Sequence, residues 1–118
     1  MDEEFMVVGV SRACRDVALE RQRQIKAEGW TPEHDDLHCS GELAGAGACY
    51  AMQAILDHIG HGRWLHDTVS RTIRELWPFQ AQWWKPKNNR ADLVRAAALL
   101  IAEIERIDRA EALQGDKP

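Results

Sequence analysis

Asp92-Leu93-Val94-Arg95-Ala96-Ala97-Ala98-Leu99-Leu100-Ile101-Ala102-Glu103-Ile104-Glu105-Arg106-Ile107 is the stretch that decides the fold. Leu93, Ala97, Leu100, Ile104 and Ile107 recur at steps of four, three, four and three, the spacing of one helical face, and Val94, Ala98 and Ile101 widen the stripe. From Ala96 to Ala102 the chain is apolar all round, so the middle of this helix is expected at the centre of a core, with Leu100 on its buried stripe. Asn89 reads as its N-cap, with Asp92 completing a cap-like pair three residues later.

Working outward, three more helical blocks are separated by breaks at Gly29 to Pro32, Gly60 to Gly62 and Pro78 to Asn89. Ser11 can cap a first helix carrying Ala13, Val17, Ala18 and Ile25, which Gly29 stops and whose stripe Arg21 interrupts. Ser40 reads as the cap of a second helix with Leu43, Ala46, Gly47, Tyr50, Ala54 and Ile55 on one side. Its first turns are nearly all glycine and alanine, at a cost of about 1 kcal/mol per interior glycine, which close approach by another helix or a ligand would offset. Leu65, Val69, Ile73 and Leu76 mark a third, ended by Trp77-Pro78. The fold class is therefore all-α, a small bundle of about four helices; only Met6 to Val10 hints at a strand. Residues 1–118 are taken as one helical domain, with 1–10 an extended arm, 60–89 a helix-and-loop insertion and 114–118 a flexible tail.

A hydrophobic fraction of 45% with 29% charged residues is globular composition. The apolar run from Phe5 to Val10 is far too short for a signal-peptide core or a membrane span, so the expectation is a cytoplasmic protein with no membrane partner. A formal charge of −4 disfavours extended nucleic acid and leaves room for a local basic patch holding a small anion. Cys14, Cys39 and Cys49 make neither a disulfide framework nor a zinc motif, and read as reduced, mostly packed thiols.

Two polar stretches could carry chemistry. In Glu33-His34-Asp35-Asp36-Leu37-His38 and the following Glu42, helical spacing puts His34 beside His38 and His38 beside Glu42. His34, Asp35, Asp36, His38 and Glu42 are the candidate metal ligands, the carboxylates favouring Mg²⁺ or Mn²⁺ and the imidazoles drawing the preference toward Zn²⁺ or Mn²⁺. The competing reading is a solvated acidic loop capping the second helix. In Trp83-Trp84-Lys85-Pro86-Lys87-Asn88-Asn89-Arg90, cations and indoles meet at a helix N-terminus, a composition suited to phosphate and base, unless the indoles merely cover the bundle's end. Arg21, on an apolar stripe, needs a carboxylate or phosphate partner. The candidate nucleotide-binding residues are Arg21, Trp30, Trp84, Lys85 and Arg90. No G-x-S-x-G, G-x-x-x-x-G-K-[ST] or H-E-x-x-H motif is present, which disfavours a covalent nucleophile.

The order Glu20-Arg21-Gln22-Arg23-Gln24, Glu28-Gly29-Trp30, His34, Gly41-Glu42-Leu43-Ala44 and Asp92-Leu93-Val94 leading into Ala96-Ala97-Ala98 resembles small phage and prophage proteins related to the MazG-like all-α nucleotide pyrophosphohydrolases. The resemblance spans roughly residues 17 to 108. It implies a Mg²⁺-dependent enzyme splitting a nucleoside triphosphate into monophosphate and pyrophosphate, with Glu42 and Asp92 as the surviving catalytic acids of two helical carboxylate motifs. Cys39 and Arg95 stand where their partners are expected. That departure raises a rival, binding or sequestration of a nucleotide or nucleotide-derived signal without turnover. A further alternative is a helical adaptor that uses Trp64, Trp77, Trp83 and Trp84 to bind a host protein. The glycine-rich helix face also suggests a homo-oligomer. If the helices starting at Glu42 and Asp92 run side by side, both starts are expected to meet at one end, in a shared cleft containing Arg21, Lys85, Arg90 and the tryptophan faces.

Overall fold

Ser11 starts the first helix by accepting a hydrogen bond from the Cys14 backbone N–H at 3.1 Å. Helix α1 then runs Arg12–Ala27 until Gly29, at φ 75°, turns the chain in a conformation open to glycine. Thr31 caps the single turn α2, Pro32–Asp35, by accepting from the His34 N–H at 3.2 Å, with Pro32 in the first helical position. Next come α3, Glu42–Leu56, and α4, Trp64–Leu76, then a 3₁₀ turn at Ala81–Trp83 and the long α5, Asn89–Gly115. This computed structural model describes residues 10–115. Over that range the chain is all-α and contains no strand. No helix in it is long and apolar enough to cross a membrane. Of the expected arm, residues 1–9 lie outside the described residues, as do 116–118 of the expected tail, while Gln114 and Gly115 continue α5.

Two caps differ from the expectation. Gly41, at φ 85°, is the N-cap of α3, and Ser40 instead donates its backbone N–H to Glu42 Oε1 at 2.7 Å. At α5 the Asn88 side chain accepts from the Ala91 N–H at 2.9 Å, and Asp92 Oδ1 reaches back to the Lys87 N–H at 2.9 Å, so Asn88 takes the capping role expected of Asn89. The Asn89 amide instead reaches the end of α3, lying 3.1 Å from Ala54 O, 2.7 Å from Asp57 Oδ2 and 3.0 Å from His58 Nε2. Helices α3 and α5 are consequently antiparallel.

The core lies between them. Leu43, Ala46 and Tyr50 of α3 pack against Ala96, Leu99 and Ala102 of α5, while Cys49 meets Val69 and Ile73 of α4. A Cβ on Gly47 would stand only 3.2 Å from the Ala96 carbonyl oxygen, so this glycine serves close packing of α3 on α5. The same closeness selects the alanine side of α5 for the core: Leu99 is 0% exposed, whereas Leu100 is 43% and Ile104 57% exposed. The stripe read from the large residues, Leu93, Leu100, Ile104 and Ile107, is thus mostly outside, as is Ile55 of α3. On α4, Leu65 and Leu76 are likewise exposed.

The thiols divide in the same way. Cys49 is buried, donates to Ile73 O at 3.7 Å and has its pKa pushed up to about 11 by burial, but Cys14 and Cys39 are exposed and not packed as expected.

Candidate functional site

The buried face of α1 is polar. Arg21 Nη2 donates to Asp35 Oδ2 at 2.9 Å, Nε to Glu105 Oε1 at 3.2 Å, and Nη1 to Trp30 O at 3.3 Å. Asp35 is 0% exposed, and burial pushes its carboxyl pKa up against the opposing charge of Arg21. The next acid, Asp36, is held by Arg109 at 2.7 Å. The acidic turn is therefore tied to α1 and α5 by arginines, and Arg21 has carboxylates, not a phosphate, as its partners.

The rest of the proposed metal cluster is loosely grouped. His34 and His38 have ring centroids 4.9 Å apart, and His38 Nδ1 lies 3.5 Å from Glu42 Oε2. Backbone N–H groups of Glu42 itself and Ser40 hold the Glu42 carboxyl below its ordinary pKa, as befits an acid at a helix start. Among the described residues no group of three or more His, Cys, Asp or Glu side chains is arranged to hold a metal ion.

Glu42 and Asp92 are not brought together. With Gly47 opposite Ala96 and Ala54 opposite Asn89, the buried Asp92 lies roughly nine residues along α3 from Glu42, about 13 Å at 1.5 Å per residue. The expectation that the two helix starts share one cleft fails because the helices are antiparallel.

A different cleft is formed. A pocket of about 190 Å³ is lined by Glu28, Trp30, His34, Asp35, His38, Leu43, Phe79 and Trp83. Its apolar walls include Trp30 and Phe79, whose rings are 6.3 Å apart, with Phe79 meeting the His38 ring at 5.1 Å. Glu28, Trp30 and Trp83 are shared with a narrower crevice that continues to Glu20, Arg23, Gln24, Tyr50, Lys85 and Arg95. There Arg23 bridges Glu20 at 2.7 Å and Glu28 at 3.1 Å. Burial raises the Glu20 pKa, but the Arg23 hydrogen bonds and charge, with Gln24 and Arg95, more than offset it and leave the group below its ordinary value.

The two remaining cations differ from every arginine above. Lys85 Nζ sits 5.5 Å from the Trp83 ring centre, and Arg95 lies 5.6 Å from the Tyr50 ring while donating to Lys85 O. Neither has a carboxylate within ion-pair distance among the described residues. Two buried acceptors at this cleft, Asp35 Oδ1 and Gln24 Oε1, also have no hydrogen-bond partner there. Each such orphan costs about 1–3 kcal/mol, and both are sealed from solvent.

Of the residues expected to bind nucleotide, Trp30 and Lys85 line the cleft. Arg90 is instead paired with Asp16 at 2.8 Å, and Trp84 packs in the bundle, 4.7 Å from Tyr50 and 4.9 Å from Trp77 between ring centres. Trp83 and Arg95 take their places at the cleft. Trp83 was visible in the cationic stretch, but Arg95 stood out only as a departure from a carboxylate motif. Comparison with protein families, with characterised proteins and with solved structures finds no match.

Proposed function

We propose that this chain binds a phosphorylated nucleotide, with the base in the aromatic pocket and the phosphates at the rim of the crevice beside Lys85 and Arg95. The observation that carries the reading is the pair of cations without carboxylate partners next to a pocket walled by indoles. An anion there gains charge-assisted hydrogen bonds without displacing an existing ion pair, and the indole and phenyl faces suit a planar base. A pocket of about 190 Å³ suits a base better than a whole nucleotide, so the phosphates project outward.

Binding or sequestration without turnover is the form best supported. The hydrolase suggested by resemblance would need Glu42 and Asp92 on a common cation, and their separation along antiparallel helices gives that no support. Titration of the tryptophan fluorescence, to which Trp30 and Trp83 contribute, with nucleoside mono-, di- and triphosphates and a cyclic dinucleotide, with and without Mg²⁺, tests the reading, alongside an assay for pyrophosphate release. Saturable quenching without pyrophosphate release is expected. Failure of every nucleotide to bind would remove the proposal, and Mg²⁺-dependent pyrophosphate release would restore the hydrolase.

A further inference from the structure

Independently of the nucleotide reading, we infer that two copies of this chain pair through the outward face of α5, antiparallel and about a two-fold axis. A surface helix ordinarily turns polar residues to solvent. Here the solvent side carries Leu93, Leu100, Ile104 and Ile107, all exposed, with the partly exposed Ala97 among them, and Leu93 and Ile104 are each more than half exposed. Their steps of four, three, four and three are those of a coiled-coil seam, which is buried when a second helix lies along it. The stripe runs for about 21 Å at 1.5 Å per residue, and a contiguous apolar patch of that length marks an interaction surface.

The charges at its two ends decide the occupant and its direction. Arg90 precedes the stripe and Asp108 follows it, about five turns further on and therefore on the same edge of the helix. Asp108 is exposed and has no cation at ion-pair distance among the described residues. Arg90 keeps 47% of its side chain exposed beside Asp16 and has donors to spare. Two copies running the same way would set Arg90 against Arg90 and Asp108 against Asp108, which is repulsive. Reversed, with the axis between Ala97 and Leu100, Leu93 lies opposite Ile104, Ala97 opposite Leu100, and Arg90 opposite Asp108. A face that complements itself in this way is the isologous surface of a two-fold dimer. Arg95, at the crevice, lies about two and a half turns from Ile104 and so on the opposite side of α5, which leaves each copy's cleft open.

A single seam of this length is smaller than most stable interfaces, so a reversible dimer with a Kd on the order of 10 µM is expected. Sedimentation velocity of the full chain from about 1 to about 200 µM should show monomer giving way to dimer. Ile104→Glu should weaken the pairing at least about tenfold and keep its helical circular dichroism, because Ile104 is exposed. A monomer throughout that range, or a dimer that Ile104→Glu leaves intact, would overturn the proposal. Direction is read by oxidative cross-linking in chains carrying Cys14→Ser and Cys39→Ser. A mixture of Leu93→Cys and Ile104→Cys chains should cross-link between copies. Leu93→Cys alone should not, since the antiparallel arrangement holds its two copies about 16 Å apart, beyond the reach of a disulfide. Self-cross-linking of Leu93→Cys, or none in the mixture, would overturn the antiparallel seam.

Discussion

The acidic turn and the cationic segment before α5 are both dense in charge, yet the fold treats them in opposite ways. Asp35 and Asp36 are held by Arg21 and Arg109 at ion-pair distance, whereas Lys85 and Arg95 line a crevice without a carboxylate that close, Arg95 acting on Glu20 only through its field. The difference shows that a charge run by itself does not locate a ligand. What matters is which charges folding leaves without a close partner: an exposed cation such as Lys85 can meet an anion directly, whereas a buried paired one such as Arg21 would first have to leave its carboxylate unpaired.

The largest expected effect tests the structural side of this contrast. Arg21→Met leaves the Asp35 carboxylate buried without its main cation and should destabilise the fold by about 3–5 kcal/mol in chemical denaturation. A loss under about 1 kcal/mol would mean that the acidic turn is free for other work. On the ligand side, Arg95→Met should weaken nucleotide binding by about tenfold or more, since charge-assisted bonds contribute about 1.5–3 kcal/mol, with denaturation midpoints close to the parent. Unchanged affinity would dissolve the distinction between paired and unpaired cations. Arg90→Ala sharpens it further: its partner is Asp16 at a partly exposed site, so affinity should change by less than about twofold and stability by about 0–1 kcal/mol.

The smallest effect concerns Glu20, whose folded pKa lies below its ordinary value of 4.5. Such a group contributes stability that is present above the unfolded value and is lost as the pH falls through the lowered folded one. Arg23→Gln should therefore make the acid-side decline in stability shallower below about pH 4.5. An identical pH profile in the variant would show that Arg23 does not hold the crevice carboxylates.

Much of the fold was legible because helices announce themselves locally. The Ser11 cap, the Gly29 stop, the break at Trp77-Pro78 and the burial of Leu43, Ala46, Tyr50, Val69 and Ile73 all follow from short-range pattern. The face of α5 did not. It carries apolar residues on more than one side, and large side chains attract the eye, but Gly47 lets α5 approach so closely that Ala96, Ala98, Leu99 and Ala102 form the buried side. Of the cleft, Trp30, Lys85, Asp35 and the two histidines were singled out beforehand. Trp84 packs inward against Tyr50 and Trp77 while Trp83 lines the cleft, a difference the sequence could not show because adjacent residues in an irregular segment have no period to say which one points inward.

The sequence by itself determined an all-α chain and, to within a residue or two, where its four long helices begin. Only the tertiary structure decided the direction of α5 against α3, which separates Glu42 from Asp92, and the pairing of each charge. Those outcomes depend on contacts between residues far apart in the chain: Arg21 with Glu105, Asp36 with Arg109, and Asn89 with the end of α3. Helical periodicity describes how a segment is amphipathic, and it carries no information about which distant segment will meet it or which charges that meeting will neutralise.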